Sequence, residues 1–201
     1  MQFPHTYFED EIREGFYITG AMKRAWAAQL EVLEEIDKVC KKHNIRWFAD
    51  CGTLLGAVRH GGYIPWDDDM DICMLRPDYI KFNQVAEQEL PKSFVVLNMH
   101  KEELYLEYMT RVTNGHRLNF DSNYLEKYHD CPYATGIDIF VLDYIAEDEE
   151  EEKERKALAT LIMAAGDEIK EDNSNIGEYE DVLKQIEELC LVEFDYTQCI
   201  R

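Results

Sequence analysis

The chain has 201 residues and a formal net charge of −21, from 42 acidic and 21 basic side chains. A surface this acidic disfavours nucleic-acid binding, because that binding needs clustered Lys and Arg to neutralise phosphates. The apolar share of 46% and the aromatic share of 12% are typical of a globular protein rather than a disordered one. A single domain that needs no disulfides or structural metal is expected at this length.

The cysteines and the N-terminal residues predict a cytoplasmic protein. None of the six cysteines forms a Cys-x-x-Cys pair, which disfavours a zinc site. Residues 1–10 lack the apolar stretch of a secretory signal, and no apolar run in the sequence reaches the length of a membrane span. We therefore expect reduced thiols, and association with the inner face of a membrane stays open.

Hydrophobic periodicity predicts a mixed core at 21–145, preceded by an arm at 1–20 without periodicity. For the core it predicts helices at 22–43, 54–60 and 79–90, and strands at 45–49, 69–75, 94–99, 104–112 and 136–145. Asn114-Gly115 is typical of a hairpin turn, and two charged helices are expected at 149–170 and 177–194. The predicted fold is α+β, a mixed sheet flanked by helices, with a C-terminal acidic helical segment at 146–201.

Four aspartates, at 67, 68, 69 and 71, lie within five positions. Like charges this close destabilise a fold unless something neutralises them. If a strand starts at Asp69, the side chains of Asp67, Asp69 and Asp71 share one face. Two or three carboxylates then converge on one spot, and such oxygen ligands suit Mg²⁺ or Mn²⁺.

Two further features favour a phosphate-bearing substrate. Gly52 and Thr53 lie between a strand and a short helix, where backbone N–H groups attract phosphate and a glycine lets the backbone approach a ligand. Asp138 stands between Ile137 and Ile139, and an acid in so apolar a run needs a cation or strong donors nearby. We therefore consider Asp138 the best third carboxylate, with an ion pair to a buried Arg as its alternative.

The stretch GTLLGAVRHGGYIPWDDDMDI, residues 52–72, resembles the signature of the LicD family, which includes the fukutin-related proteins. That family lies in the polymerase-beta-like nucleotidyltransferase superfamily. VCKKHNI at 39–45 and GIDIFVLD at 136–143 are similar to the same family, so the resemblance covers roughly residues 22–145.

The resemblance implies a nucleotidyltransferase-like fold and a transferase activity. The substrate would be a CDP-activated alcohol, with phosphocholine or a polyol phosphate moved to a glycan or lipid-linked saccharide. Asp69 and Asp71 would hold Mg²⁺, with Asp67 as a third ligand or as an acid that holds a water beside the metal. Gly52 and Thr53 would face the phosphates, and Asp138 would be the base for the acceptor hydroxyl.

Other residues near the signature have two interpretations each. Arg59 and Arg111 are candidate partners of the substrate phosphate, because Arg suits both phosphates and carboxylates. Tyr63 and Trp66 either pin the loop or cage a choline group. His60 is expected at the surface or behind the residues that contact the substrate.

Competing functions remain open at this stage. They are a sugar-nucleotide glycosyltransferase, a nucleotidyltransferase that adds NMP, and a non-catalytic module on a transferase fold. A calcium loop of the EF-hand type is disfavoured because Ile72 stands where that loop needs glycine.

Overall fold

The computed structural model describes residues 1–98, 107–146, 148–171 and 176–190. The chain forms two compact units. One unit contains Met1–Val96 and Thr110–Phe140, and the other contains Leu97–Met109 and Val141–Arg201. All candidate site residues belong to the first unit.

The described elements follow a 3₁₀ helix at His5–Phe8. In chain order they are β1 (Glu11–Arg13), β2 (Phe16–Ile18), α1 (Gly20–His43), β3 (Phe48–Ala49), α2 (Cys51–Arg59), β4 (Asp71–Leu75), α3 (Arg76–Glu89), β5 (Val95–Leu97), β6 (Thr110–Thr113), α4 (Ser122–Lys127), β7 (Gly136–Leu142), α5 (Glu149–Glu171) and α6 (Ile176–Cys190).

Five strands form a mixed sheet in the order β3-β4-β7-β6-β5. The pairs β3–β4 and β6–β7 are antiparallel, with Ala49 opposite Ile72 and Arg111 opposite Asp138. The central strands carry fully buried side chains, among them Ile72 and Ile137, which explains why both strands read as apolar runs. The expected α+β architecture, a mixed sheet flanked by helices, is confirmed.

Helix α1 begins where its sequence supplies a cap. The Thr19 hydroxyl oxygen accepts a hydrogen bond from the Met22 N–H at 3.2 Å, which satisfies one of the unpaired donors of the first turn. The helix ends at His43, and the capping residue Asn44 that follows has a left-handed φ of 52°, a conformation that Asn tolerates. Trp26, Val32 and Ile36 of α1 are fully buried, so the predicted helix at 22–43 is confirmed and starts two residues earlier.

The hairpin prediction at Asn114-Gly115 is wrong. Strand β6 ends at Thr113 and pairs with β7, and no strand follows at 116–121. The Asn114 N–H donates to the Thr135 carbonyl at 3.1 Å, and its side-chain oxygen accepts from the Thr135 N–H at 2.9 Å. Asn114 thus joins the ends of two strands that are distant in sequence, which a local turn pattern cannot reveal.

Other boundaries shift as well. The strand expected at 104–112 is confined to Thr110–Thr113, with 104–106 outside the described residues, and the strand expected at 136–145 ends at Leu142. Residues 99 and 191–194, the ends of two other predicted elements, also lie outside the described residues. Helix α4 was not predicted, although Asp121 caps it with hydrogen bonds from the N–H groups of Asn123 and Tyr124.

The expected arm at 1–20 contains the β1–β2 hairpin. Its turn residues, Glu14 and Gly15, have φ of 52° and 80°, the left-handed pair that favours a tight hairpin. Arg13 pairs with Phe16 directly across the turn.

In the second unit, α5 and α6 pack on each other. Within the described part of the chain, no helix is both long enough and apolar enough to cross a bilayer.

Candidate active site

Residues 67–69, here called the acidic loop, bring three carboxylates together. One side-chain oxygen from each of Asp67, Asp68 and Asp69 lies within 4.8 Å of the other two. Strand β4 begins at Asp71, two residues later than expected, so strand alternation does not organise the acidic loop. The structure therefore adds Asp68 to the group and places Asp71 beside it, at the start of the strand.

The carboxylates disturb one another electrostatically. Burial, followed by the charges of Asp69, Asp138, Asp67 and Asp50, raises the pKa of Asp71 from its ordinary value of 3.8 to about 6. Burial and a hydrogen bond with the Asp69 carboxyl also raise the pKa of Asp67. Negative charge is thus unfavourable here without a cation.

Buried side chains of α1 hold the backbone of the acidic loop. The Trp26 indole N–H donates to the Asp67 carbonyl at 2.9 Å, and the Gln29 amide donates to the Asp68 carbonyl at 2.8 Å. The Tyr63 hydroxyl donates to the Gln29 side-chain oxygen at 3.0 Å, and its ring stacks on Trp26 with centroids 4.8 Å apart. These contacts fix the loop against the repulsion of its own charges.

Sequence reasoning missed Trp26 and Gln29 as site residues. They lie three positions apart on one face of α1, and Gln29 is only 6% exposed. A polar Gln on the buried stripe of an amphipathic helix was the available signal, because buried amides are almost always hydrogen-bonded.

The absence of a side chain at Gly52 leaves room for the Asp67 carboxylate. A Cβ at this position would lie 2.1 Å from the Asp67 Oδ2 atom, so any larger residue would displace that side chain. The Thr53 hydroxyl oxygen accepts from the Asp71 N–H at 2.8 Å. Both residues therefore shape the acidic site, and their contact with phosphate stays a prediction.

Asp50 is a further site residue that the sequence analysis did not single out. Its side chain caps α2 by accepting from the Cys51 N–H at 2.9 Å, and its own N–H donates to the Asp71 carbonyl at 3.1 Å. The start of α2 is therefore tied to the start of β4.

Asp138 pairs with Arg111 across the sheet. The Arg111 Nε and Nη2 atoms lie 2.5 and 2.6 Å from the two Asp138 oxygens. The Asp138 N–H donates to the Met70 carbonyl at 3.1 Å, which places β7 beside the acidic loop. Both predicted residues thus lie at the site. Asp138 does form an ion pair with an Arg, but Arg111 is exposed rather than buried as the alternative had it.

Arg59, unlike Arg111, contacts a histidine rather than a carboxylate of the site. It is the exposed last residue of α2, and its Nε donates to the His60 Nδ1 atom at 3.3 Å. His60 in turn lies 3.3 Å from a Glu14 carboxylate oxygen.

Two cavities meet at Asp69 and Met70. The smaller, of about 250 Å³, is mainly apolar and includes Gly52, Thr53 and Asp67 in its lining. The larger, of about 740 Å³ and here called the wide cleft, is lined in part by Asp68, Arg111 and Asp138. Arg59 and Asp71 line neither cavity. The acidic loop therefore lies between a mainly apolar recess and a more polar cleft.

Comparison with known proteins gives a family match over more than half of the chain. The family model described as "LicD/FKTN/FKRP, nucleotidyltransferase domain" matches residues 44–154. That range contains the acidic loop, Gly52, Thr53, Arg111 and Asp138.

Individual relatives match shorter segments. A Haemophilus influenzae protein named lipopolysaccharide cholinephosphotransferase LicD is 43% identical over 60 residues, which are 30% of this chain and 23% of that protein. Uncharacterised proteins of Rickettsia typhi and Rickettsia prowazekii are 43% and 34% identical over 29% and 43% of this chain. The matched segments span 19% and 32% of those two proteins, so each match covers less than two thirds of the relative.

Proposed function

This chain belongs to the LicD family, and from that premise we propose that it transfers a phosphorylated alcohol from a CDP-activated donor to a saccharide hydroxyl. The alcohol phosphate is phosphocholine or a polyol phosphate, and the catalytic unit is of the nucleotidyltransferase type. The observation that carries the proposal is the convergence of the Asp67, Asp68 and Asp69 carboxylates beside Gly52. Asp71 adjoins them at the start of β4, where the charges of Asp69, Asp138 and Asp67 add to burial in raising its pKa. The name of the Haemophilus relative supports phosphocholine as the group and lipopolysaccharide as the acceptor.

The residues of the acidic site fit a hard divalent cation. Carboxylate oxygens of Asp67, Asp68 and Asp69 lie within 4.8 Å of one another. Burial and the neighbouring negative charges raise the pKa of Asp71, and a cation would offset those charges. We assign Asp69 and Asp71 as the residues that hold Mg²⁺ or Mn²⁺, with Asp67 as the third and Asp68 within reach. A bound cation supplies charge neutralisation of the diphosphate and polarises its phosphorus–oxygen bonds.

The chain's own residues position the reactants. The N-terminus of α2 and the Thr53 hydroxyl attract the donor phosphates. The acceptor oxygen forms a bond to the phosphorus distal to the nucleoside, and the bond between that phosphorus and the bridging oxygen breaks, so CMP leaves. Alignment of the reactants provides much of the rate.

In this proposal Asp138 takes the proton of the acceptor hydroxyl. Its ion pair with Arg111 occupies one lone pair on each oxygen, and an ionised carboxylate offers about four acceptor sites. The pair therefore orients Asp138 while leaving sites that face the wide cleft, which Asp138 lines.

A second candidate is transfer of NMP from a nucleoside triphosphate. The matched family description, a nucleotidyltransferase domain, favours it. The two reactions release different products, CMP in one and pyrophosphate in the other.

The test is product analysis by mass spectrometry with the full chain, Mg²⁺ and lipopolysaccharide. With CDP-choline, we expect CMP and phosphocholine-modified acceptor, both lost in Asp69→Asn and retained in the exposed control Glu126→Gln. Pyrophosphate from CTP, with no CMP from any CDP-alcohol, would replace the proposal with NMP transfer.

A further inference from the structure

The wide cleft has an aromatic wall that the proposed chemistry does not explain. Phe16, Trp66 and Tyr133 line it, and Trp66 and Tyr133 are 52% and 57% exposed. The Trp66 ring meets Phe16 edge-on with centroids 6.4 Å apart and His60 with centroids 6.0 Å apart. Two neighbouring rings thus orient an indole whose surface remains half open to the cleft.

The N-terminal hairpin forms part of this wall. Phe16 belongs to β2, and the turn residue Glu14 lies 3.3 Å from His60 at the end of α2. Because successive strand residues point to opposite faces, Phe16 turns toward the cleft and Tyr17 away from it. The hairpin therefore contributes a side chain to the site although it lies far from the acidic loop in sequence.

Polar groups complete the lining. Asp68, Asp138 and Arg111 border the same cleft as the aromatic rings. A pyranose ring matches this combination, because its C–H face packs against the negative face of an aromatic ring. Its hydroxyl groups form hydrogen bonds with carboxylate oxygens and with a guanidinium.

The division of residues between the two cavities indicates which substrate uses the cleft. Gly52 and Thr53 line the smaller cavity, whereas Asp138 lines the wide cleft, and Asp69 lines both. Donor phosphates at Gly52 and Thr53 and an acceptor hydroxyl at Asp138 would therefore approach Asp69 from opposite sides.

We propose that the wide cleft binds a sugar ring of the acceptor, stacked on Trp66 and bordered by Phe16 and Tyr133, with a hydroxyl directed at Asp138. The role of this sugar as acceptor rests on the proposed transferase function. The binding of the sugar to the aromatic wall does not depend on that function. Sugar binding and donor binding are therefore measured separately.

The test is saturation-transfer NMR on the full chain with methyl β-D-galactopyranoside, methyl β-D-glucopyranoside and N-acetylglucosamine as probes. We expect saturation transfer to the sugar ring protons in the wild type. In Trp66→Ala and Tyr133→Ala this signal should weaken by roughly fivefold. Phe120→Ala, which removes an even more exposed ring that does not line the cleft, retains the wild-type signal. CDP-choline binding with Mg²⁺ stays within about twofold in all three variants.

Three results discriminate further. Loss of CDP-choline affinity in Trp66→Ala, with sugar binding unchanged, would overturn the inference and assign the ring to the donor's quaternary ammonium group. If CDP-choline binds but no sugar probe shows saturation transfer, the inference is also overturned while the proposed function stands. Sugar binding that depends on Trp66 in a chain that binds no CDP-alcohol would support the sugar site and refute the proposed function.

Discussion

The acidic loop and the first turn of α5 are both dense in carboxylates, yet their electrostatics are opposite. In the loop, three carboxylates approach within 4.8 Å, and the pKa of the adjoining Asp71 is raised. In α5, Glu152 accepts a hydrogen bond from the Ala146 N–H at 2.9 Å and pairs with Arg155 and Lys156. These contacts, the backbone hydrogen bond first, lower the pKa of Glu152.

Helical spacing explains the difference. Arg155 and Lys156 lie three and four positions after Glu152, where a helix brings side chains together. The acidic loop instead has its backbone held by neutral donors, Trp26 and Gln29, which do nothing to balance its charge. Acidic density therefore indicates a cation site only where the carboxylates converge and their pKa values rise.

The largest expected effect follows loss of a converging carboxylate. Asp69→Asn and Asp71→Asn should each reduce transferase turnover by about 100-fold or more, because each removes charge from the cation site. Asp71→Asn should also stabilise the metal-free protein by an amount on the order of 1 kcal/mol, after discounting for solvent screening. Turnover and chemical denaturation measure the two effects.

Glu152→Gln is the matched substitution in the other region. It should lower the melting temperature, because it removes one partner from a set of favourable contacts. Equal changes in stability for Asp71→Asn and Glu152→Gln would remove the distinction between the two regions.

Gln29→Leu tests how the loop is held. It leaves the Asp68 carbonyl without its buried donor and should cost about 1–3 kcal/mol of folding stability. Mg²⁺ affinity should fall as well, because the carboxylates are free to separate. Gln88→Leu, on the exposed side of α3, is the control, and urea unfolding with Mg²⁺ calorimetry gives both values. A stability loss with unchanged Mg²⁺ affinity would show that the contact is structural only.

Gly52→Ala tests the close approach of the Asp67 carboxylate. The added methyl group occupies the space of Oδ2, so Asp67 must rotate, and Mg²⁺ affinity should fall by about tenfold. The control is Gly115→Ala, where a Cβ meets nothing within 4 Å. Equal Mg²⁺ affinities in the two variants would contradict the assignment of Asp67.

The smallest expected effect is on how folding stability depends on pH. As the pH falls, protonation of Asp71 favours folding, whereas protonation of Glu152 disfavours it. The folded-state pKa of Asp71, about 6, lies above its ordinary 3.8, so its protonation favours folding as the pH falls through this window. The advantage of metal-free Asp71→Asn over the wild type should therefore shrink between pH 7 and about pH 4.

Glu152 provides the comparison. Its pKa is lowered, so its contribution to stability is present above its ordinary value of 4.5 and is lost as the pH falls through the folded pKa. The deficit of Glu152→Gln relative to the wild type should therefore also shrink at low pH. Melting temperatures across pH measure both differences, and a deficit of Glu152→Gln that grew on acidification would contradict the account.

The sequence predicted the elements that carry strong local patterns. Helix α1 was found because its apolar residues recur at helical spacing. Strand β4 was found because apolar residues flank Asp71. The β1–β2 hairpin was missed because its strands have three residues each, and its turn is Glu-Gly rather than Asn-Gly. Asn114-Gly115 has the stronger turn pattern, but Asn114 bonds to Thr135 instead.

The same reasoning explains what was found of the site. Asp67, Asp69 and Asp138 stand out by spacing and by apolar neighbours, and the charges of all three contribute to the raised pKa of Asp71. The support from Gln29 and Trp26 depends on contacts across about 40 positions of sequence, which periodicity cannot specify. The Arg111–Asp138 pair likewise depends on the register of β6 against β7.

The most direct test of the central claim is calorimetric titration of CDP-choline into the full chain, with and without Mg²⁺, for the wild type and Asp69→Asn/Asp71→Asn. The claim predicts binding to the wild type only when Mg²⁺ is present, and no binding to the folded double variant. Mg²⁺-independent binding, or equal binding to both proteins, would contradict the assignment of these carboxylates to a cation that holds the donor.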